Sequence, residues 1–398
     1  MERAAAASKP RVFTPLLLTC FGISALGSIP VYMLYTQLPV HVLGLGGTRM
    51  QVGMLVSALT LVAMVVRPVV GVWTDRYGAR TVMLPAVVPL LVASLAFHVA
   101  ASPAVFIVLM ALVGLSVGSI TTASGALVAR ATTPAHRAEI LIVYTVFTHV
   151  PTALGPVLGS MLSALGGVEL NFVFVTVLAL VTGVLIWLLP RLAPEGRERG
   201  SGRLAFLRPR VRLAVPIVVM NLVGYASMFP FLPLHARARG FGGIGWFFLL
   251  YSTLMVVSRL FLRRLPDRFG RPTVIATTIG LLASAYLVMA LPVTVMSLVT
   301  AAVLLAVGVS CYHPTLLAWV LDRTPEAEHG RVMGTIQAST DLGMAVGSAV
   351  TGFVVQHTMS YGVGFACAGG VALAALITFA AVAAWLERPR PPGSGASV

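Results

Sequence analysis

Eleven of the twelve Asp and Glu residues in this chain lie in polar stretches or at the ends of apolar ones. Asp341 is the exception. It lies ten residues past Arg331 in an apolar run, about 15 Å along a helix. A carboxylate at that depth is costly to keep charged, can exchange a proton, and marks a functional site. A cation sits at a comparable depth elsewhere: Arg67 precedes Asp75 by eight residues, about 12 Å from the polar edge. Arg259, His149 and His313 also fall inside apolar runs. His313 precedes Pro314, whose missing N–H leaves a helix carbonyl free. These residue types suit ion pairing and proton exchange.

Other chemistries find little support. "GLSVG" at 114–118 fits the Gly-x-Ser-x-Gly nucleophile pattern, but it lies in an apolar helical run with no preceding strand. Helix packing explains it better, so no enzyme is expected. A phosphate-cradling Gly-Lys loop is excluded, because Lys9 is the only lysine. Cys20, Cys311 and Cys367 all lie in apolar stretches, which suggests core filling rather than disulfides or a metal site. No cofactor and no metal are expected.

The elements that must hold these residues are membrane helices. The 398 residues are 58% hydrophobic and only 10% charged, with a mean hydropathy of +0.95. Soluble domains are about a quarter charged. Runs of the roughly 20 apolar residues that span a bilayer recur near 13–40, 49–72, 80–99, 103–129, 138–164, 171–190, 212–236, 243–265, 272–291, 293–321, 331–358 and 361–386. The first is too long for a cleaved leader and shows no small-residue cleavage pattern. If the N-terminus is cytoplasmic, all of the 27 Lys and Arg residues except Arg49, Arg237 and Arg239 lie on the cytoplasmic side. That is the positive-inside rule. Both termini are then cytoplasmic, and the basic segment 191–211 can touch anionic lipid. The net charge of +15 needs no nucleic acid to explain it.

The chain also repeats itself. Arg67, Asp75, Arg76 and Gly78 recur as Arg259, Asp267, Arg268 and Gly270, each shifted by 192. The same shift carries His149 onto Asp341, Pro151 onto Gly343, and Gly155 onto Gly347. Six spans is an even number, so the two copies share one orientation. The expected architecture is an all-α membrane protein of two six-helix bundles, 1–190 and 212–398, joined by the linker 191–211. A pseudo-two-fold axis along the membrane normal relates them. Secondary transporters place their substrate site at such an interface, near the midplane.

"GVWTDRYGAR" at 71–80 resembles the signature loop between helices two and three of the major facilitator superfamily. It supplies Gly71, Asp75, Arg76, Gly78 and Arg80, with Ala79 replacing one basic residue. "RRLPDRFGRP" at 263–272 keeps Asp267, Arg268, Gly270 and Arg271 but has Arg263 for the leading glycine. "PTALGPVLGS" at 151–160 is similar to the fifth-helix motif of the superfamily's antiporters, with Pro151 for its first glycine, followed by Gly155, Pro156 and Gly159. Spacing alone makes the first loop a positive-inside turn and the last a kinked, closely packed helix. The resemblance implies more: a cytoplasmic latch and a seam that seals the halves against ion leak. It also packs helices two and eleven together, which would set Arg67 beside Asp341, and helices five and eight, which would set His149 near Arg259. Asp341 is then either a proton-coupling site or half of a structural clasp.

Cavity candidates are Tyr32, Tyr35 and Gln37 on span one, Thr121 and Thr122 on span four, Asn221 and Tyr225 on span seven, and His313 on span ten. Their aromatic character suggests a partly apolar organic substrate. Drug transporters of the family often carry an arginine four residues before the glycine equivalent to Gly114; here Met110 stands there. The expected activity is proton-coupled efflux of a small organic molecule by alternating access, with proton-coupled uptake as the alternative. The expected protein is a monomer in the cell (inner) membrane.

Overall fold

The computed structural model describes residues 14–132, 137–190, 209–262, 264–325 and 329–386. These form α1 (Pro15–Gly44), α2 (Arg49–Tyr77), α3 (Ala79–Ala96), α4 (Pro103–Arg130), α5 (Arg137–Leu188), α6 (Pro209–Arg237), α7 (Gly245–Leu262), α8 (Leu265–Phe269), α9 (Arg271–Ala290), α10 (Val295–Leu321), α11 (His329–Thr358) and α12 (Tyr361–Leu386). No strand occurs among the described residues.

Local signals account for the helix ends. Thr14 caps α1, and the Thr48–Gln51 and Thr294–Ser297 capping boxes start α2 and α10. Each box satisfies two backbone N–H groups that the first turn leaves without partners. Between α2 and α3 the chain turns at Gly78 (φ 84°), and between α8 and α9 at Gly270 (φ 80°). A side chain at that φ would be strained, which explains why the glycine recurs in both copies of the repeat.

α5 runs for 52 residues but contains two crossings. Its membrane-length stretch, Phe147–Leu188, has 42 residues, about 63 Å as one straight helix, twice a bilayer core. The helix breaks at Gly166 (φ −152°) and Gly167 (φ 71°). Asn171 Nδ2 then donates to Ser163 Oγ at 2.7 Å across eight residues, which a straight helix could not allow. Counting α5 twice and leaving out the five-residue α8 gives twelve crossings. Several expected boundaries move by a few residues. The span expected to run to 265 ends at Leu262, because Pro266 starts the separate helix α8. Residues 209–211, assigned to the linker, already belong to α6.

α1, α3 and α4 pack with α5, and α2 packs on α4; α6, α9 and α10 pack with α11, α12 and α7. The two bundles meet along α2–α11, α5–α7 and α1–α6. Large side chains such as Phe261, 79% exposed, face outward where lipid would cover them.

Small residues set how closely these helices approach. A Cβ on Gly114 of α4 would lie 2.2 Å from the Leu59 carbonyl oxygen of α2. Between the bundles, a Cβ on Gly53 of α2 would lie 2.4 Å from the Ser348 carbonyl oxygen of α11 and 3.2 Å from Gly352 Cα. On the other seam, a Cβ on Gly245 of α7 would meet Pro156 O and Ser160 Oγ of α5, each at 3.3 Å. The shift of 192 relates three pairs of residues in these two contacts: Gly53 to Gly245, Pro156 to Ser348, and Ser160 to Gly352. The repeat therefore governs packing as well as sequence.

Gly114→Val is expected to lower the unfolding midpoint in detergent by several degrees, from about 1–3 kcal/mol of overpacking, because α2 and α4 cannot part within one bundle. Gly53→Val should leave that midpoint nearly unchanged and instead push the bundles apart. The readout is labelling of Ser57→Cys by a water-soluble maleimide, with Cys20, Cys311 and Cys367 replaced by serine. A several-fold rise is expected; unchanged labelling would show that Gly53 does not set this approach.

Candidate functional site

Arg67 of α2 donates from Nε to Asp341 Oδ2 of α11 at 2.8 Å. Its Nη1 donates to Thr121 Oγ1 at 3.1 Å and to Thr122 Oγ1 at 3.3 Å, both on α4. Each threonine hydroxyl spends its own proton on a helix carbonyl, Val117 O and Gly118 O, both at 2.7 Å. Their lone pairs are left for the guanidinium. The first bundle thus holds Arg67 by two neutral bonds, and the second supplies its only anionic partner. The Asp341 side chain is 8% exposed and that of Arg67 25%. Outward along the same seam, Ser57 Oγ donates to Ala345 O at 2.7 Å and the Arg49 N–H donates to Gln356 Oε1 at 2.9 Å. Asp341 marks the last bond of this ladder on the side of Asp75.

An aromatic cluster lies beside the pair. Tyr32 and Tyr35 are within electrostatic range of both Arg67 and Asp341. Phe229 of α6 touches Tyr32, Tyr35, Tyr225 and Phe248, with ring centroids 5.2, 6.1, 5.4 and 5.5 Å away. Beyond it, His149 of α5 and His313 of α10 lie within electrostatic range of Arg259 of α7. Arg259 Nε is buried without a hydrogen-bond partner. Among the described residues no carboxylate pairs with it.

The model of the Major Facilitator Superfamily matches residues 16–244 and 217–397. The chain belongs to the major facilitator superfamily. It is 20% identical over 339 residues to an uncharacterised MFS-type transporter of Methanocaldococcus jannaschii, covering 82% of this chain and 86% of that one. It is 22% identical over 326 residues to the staphylopine export protein of Staphylococcus aureus, covering 77% and 81%. A crystal structure of the nucleoside transporter NupG has the same fold, with a TM-score of 0.75, 14% identity, and coverage of 94% and 100%. This is a multi-pass membrane protein and a transporter of small substrates.

The superfamily's loop motif is in place in both copies. Asp75, Arg76, Asp267 and Arg268 are exposed, and no ion pair among the described residues holds either carboxylate. Arg76 and Arg268 rest on the neighbouring rings of Tyr77 and Phe269, at 5.2 and 5.3 Å. Arg80 donates to Leu189 O at 2.8 Å; Arg271 donates to Ala318 O at 2.7 Å and pairs with Asp322. Gly71 faces open space, so no close approach explains it here.

The superfamily's fifth-helix motif faces another way than the resemblance implied. A Cβ on Gly155 would lie 2.8 Å from Tyr32 Cβ, and one on Gly159 2.9 Å from Gln37 Cγ and Met33 Cγ. Both glycines therefore press on α1, inside their own bundle. Pro156 and Ser160 reach the other half, against Gly245; Pro151 is buried. Gln37 also serves the bundle: it donates to Ser160 Oγ at 3.5 Å and accepts from Ser163 Oγ at 2.9 Å. Asn221 is 1% exposed, and neither atom of its amide has a partner. Gly53, Ser57, Gly245 and Gln356, not singled out from sequence, make the bundle-to-bundle contacts. Applying the shift of 192 to every glycine would have found the first and third.

Arg67→Gln removes the only cation beside the buried Asp341 and is expected to destabilise the protein by up to about 3 kcal/mol. Arg67→Gln combined with Asp341→Asn should recover most of that loss. Thermal unfolding in detergent checks both. A double variant no more stable than Arg67→Gln alone would mean that the unpaired carboxylate is not the cause.

Proposed function

We propose that this protein exports a small organic molecule in exchange for protons, with Asp341 as the site that couples the two. The buried Arg67–Asp341 bond between the bundles carries this reading. A proton on Asp341 cancels its charge and removes the main attraction for Arg67. Arg67 keeps Thr121 and Thr122, so α11 is released while α2 stays attached to α4. One protonation event thereby becomes a change in how two bundles meet. The likeness to a staphylopine export protein supports the outward direction.

With both termini cytoplasmic in the cell membrane, the end bearing Arg49 faces outside. The Gly53 and Gly245 contacts then close the outer end, and the loops bearing Asp75 and Asp267 flank a cytoplasmic mouth. Residues 1–190 rock against 212–398 about the linker 191–211, and a monomer suffices. In the opposite state Asp75 acts as the cytoplasmic latch.

Purified protein in liposomes with a trapped pH dye tests the coupling over a panel of lipophilic cations, neutral drugs and amphiphilic metabolites. Wild type should move protons when substrate is added, and Asp341→Asn should lose that signal at least ten-fold. Substrate flux without proton movement, unchanged in the variant, would leave Asp341 a structural clasp and remove proton coupling. Asp75→Asn, in contrast, should slow transport several-fold and spare equilibrium binding. Normal transport by that variant would reduce the loop to a positive-inside turn.

A further inference from the structure

We propose that the transported molecule carries a single carboxylate and that Arg259, flanked by His149 and His313, is the group that binds it. This names the substrate class of the exporter described above and rests on that reading.

The argument starts from a broken symmetry. Arg67 and Arg259 are equivalent under the shift of 192, and so are His149 and Asp341. The first arginine has its carboxylate at 2.8 Å. The second has two histidines, His149 and His313, within electrostatic range instead. Arg259 Nε is buried and makes no hydrogen bond. A guanidinium is a rigid fork of five N–H donors matched to an oxyanion, and leaving one without an anion in a low-dielectric interior is unfavourable. The protein tolerates this at a seam between its bundles, where three helices converge: α5, α7 and α10. The missing partner is best supplied by the cargo.

Charge sets the valence. The Arg and Asp residues singled out at this level are Arg67, Asp341 and Arg259, and the first two pair with each other. Their sum is one positive charge, which a monoanion cancels and a dianion overshoots. The surroundings set the body of the molecule. Tyr251 and Tyr225 lie within electrostatic range of Arg259, and the Tyr225–Phe229–Phe248 ring contacts continue from there toward Tyr32. An aromatic or extended apolar group beside one carboxylate fits that lining. Arg67 cannot serve this purpose while Asp341 and two threonines occupy it.

The test is equilibrium binding to purified protein in detergent, with no gradient, using indole-3-acetate, indole-3-acetamide and tryptamine. These three share one ring system and differ in charge. Indole-3-acetate should bind wild type at least ten-fold tighter than the amide or the amine. Arg259→Gln should erase that preference, and Arg259→Lys should keep part of it. If Arg259→Gln does not fold, the wild-type ranking still decides. Equal binding of acid and amide, tighter binding of the amine, no binding of the acid at millimolar concentration, or a preference that survives in Arg259→Gln would each overturn the proposal. Because no proton gradient is involved, failure here leaves coupling through Asp341 intact. Loss of coupling would likewise leave the anion preference intact.

Discussion

An ion pair inside a membrane is held by a different balance from one at a protein surface. Neither Arg67 nor Asp341 can fall back on bulk water when the other leaves, so each is bound to whatever polar group is nearest. For Arg67 that is the pair of threonines on its own bundle; for Asp341 it is Arg67. The consequence is directional. Neutralising the acid would remove the charge that ties Arg67 to the second bundle and leave its two bonds to the first, whereas losing the arginine strands a buried charge. Much of the surrounding architecture follows from keeping this bond short. α2 can lie against α11 only because Gly53 and Gly352 present no side chains where the backbones meet.

The same constraint explains why the sequence repeat survives most clearly in small and charged residues. Apolar positions facing lipid can change among Leu, Val, Ile and Phe with little effect on packing. A glycine whose absent Cβ would lie 2.4 Å from a carbonyl oxygen cannot change at all without moving a helix. The shift of 192 therefore persists in Gly53 and Gly245, in the Arg67 and Arg259 pair, and in the Gly78 and Gly270 turns, while the intervening apolar residues have diverged.

Charges inside apolar runs were legible from sequence because nothing local explains them. Arg67, Asp341, His149 and Arg259 stood out for that reason, as did the helices, whose apolar length leaves little choice. Facing was harder. A small-xxx-small pattern says that a helix face approaches another closely, not which helix it approaches, so Gly155 and Gly159 carried no sign that α1 is their neighbour. Gln37 reads as a polar residue on an apolar helix; Ser163, which donates to its amide oxygen, lies 126 residues away and leaves no trace near position 37. The break before α8 was signalled by Arg263, Arg264 and Pro266, which interrupt the apolar run.

Duplication gives a transporter two equivalent seams, and this chain uses them unequally. Both are closed by the same glycine contact, Gly53 on α11 and Gly245 on α5. Only the α2–α11 seam adds an ion pair among the described residues. Had both seams carried an acid, two protons would be needed before either bundle could move freely, and no cation would remain for cargo. With His149 in place of the second acid, only one of the two seams carries an ion pair among the described residues. On the proposed mechanism, a single protonation changes the balance between them. Under the two proposals, proton coupling and anion recognition would both trace to position 149, where one copy of an otherwise repeated scaffold carries a histidine in place of the acid.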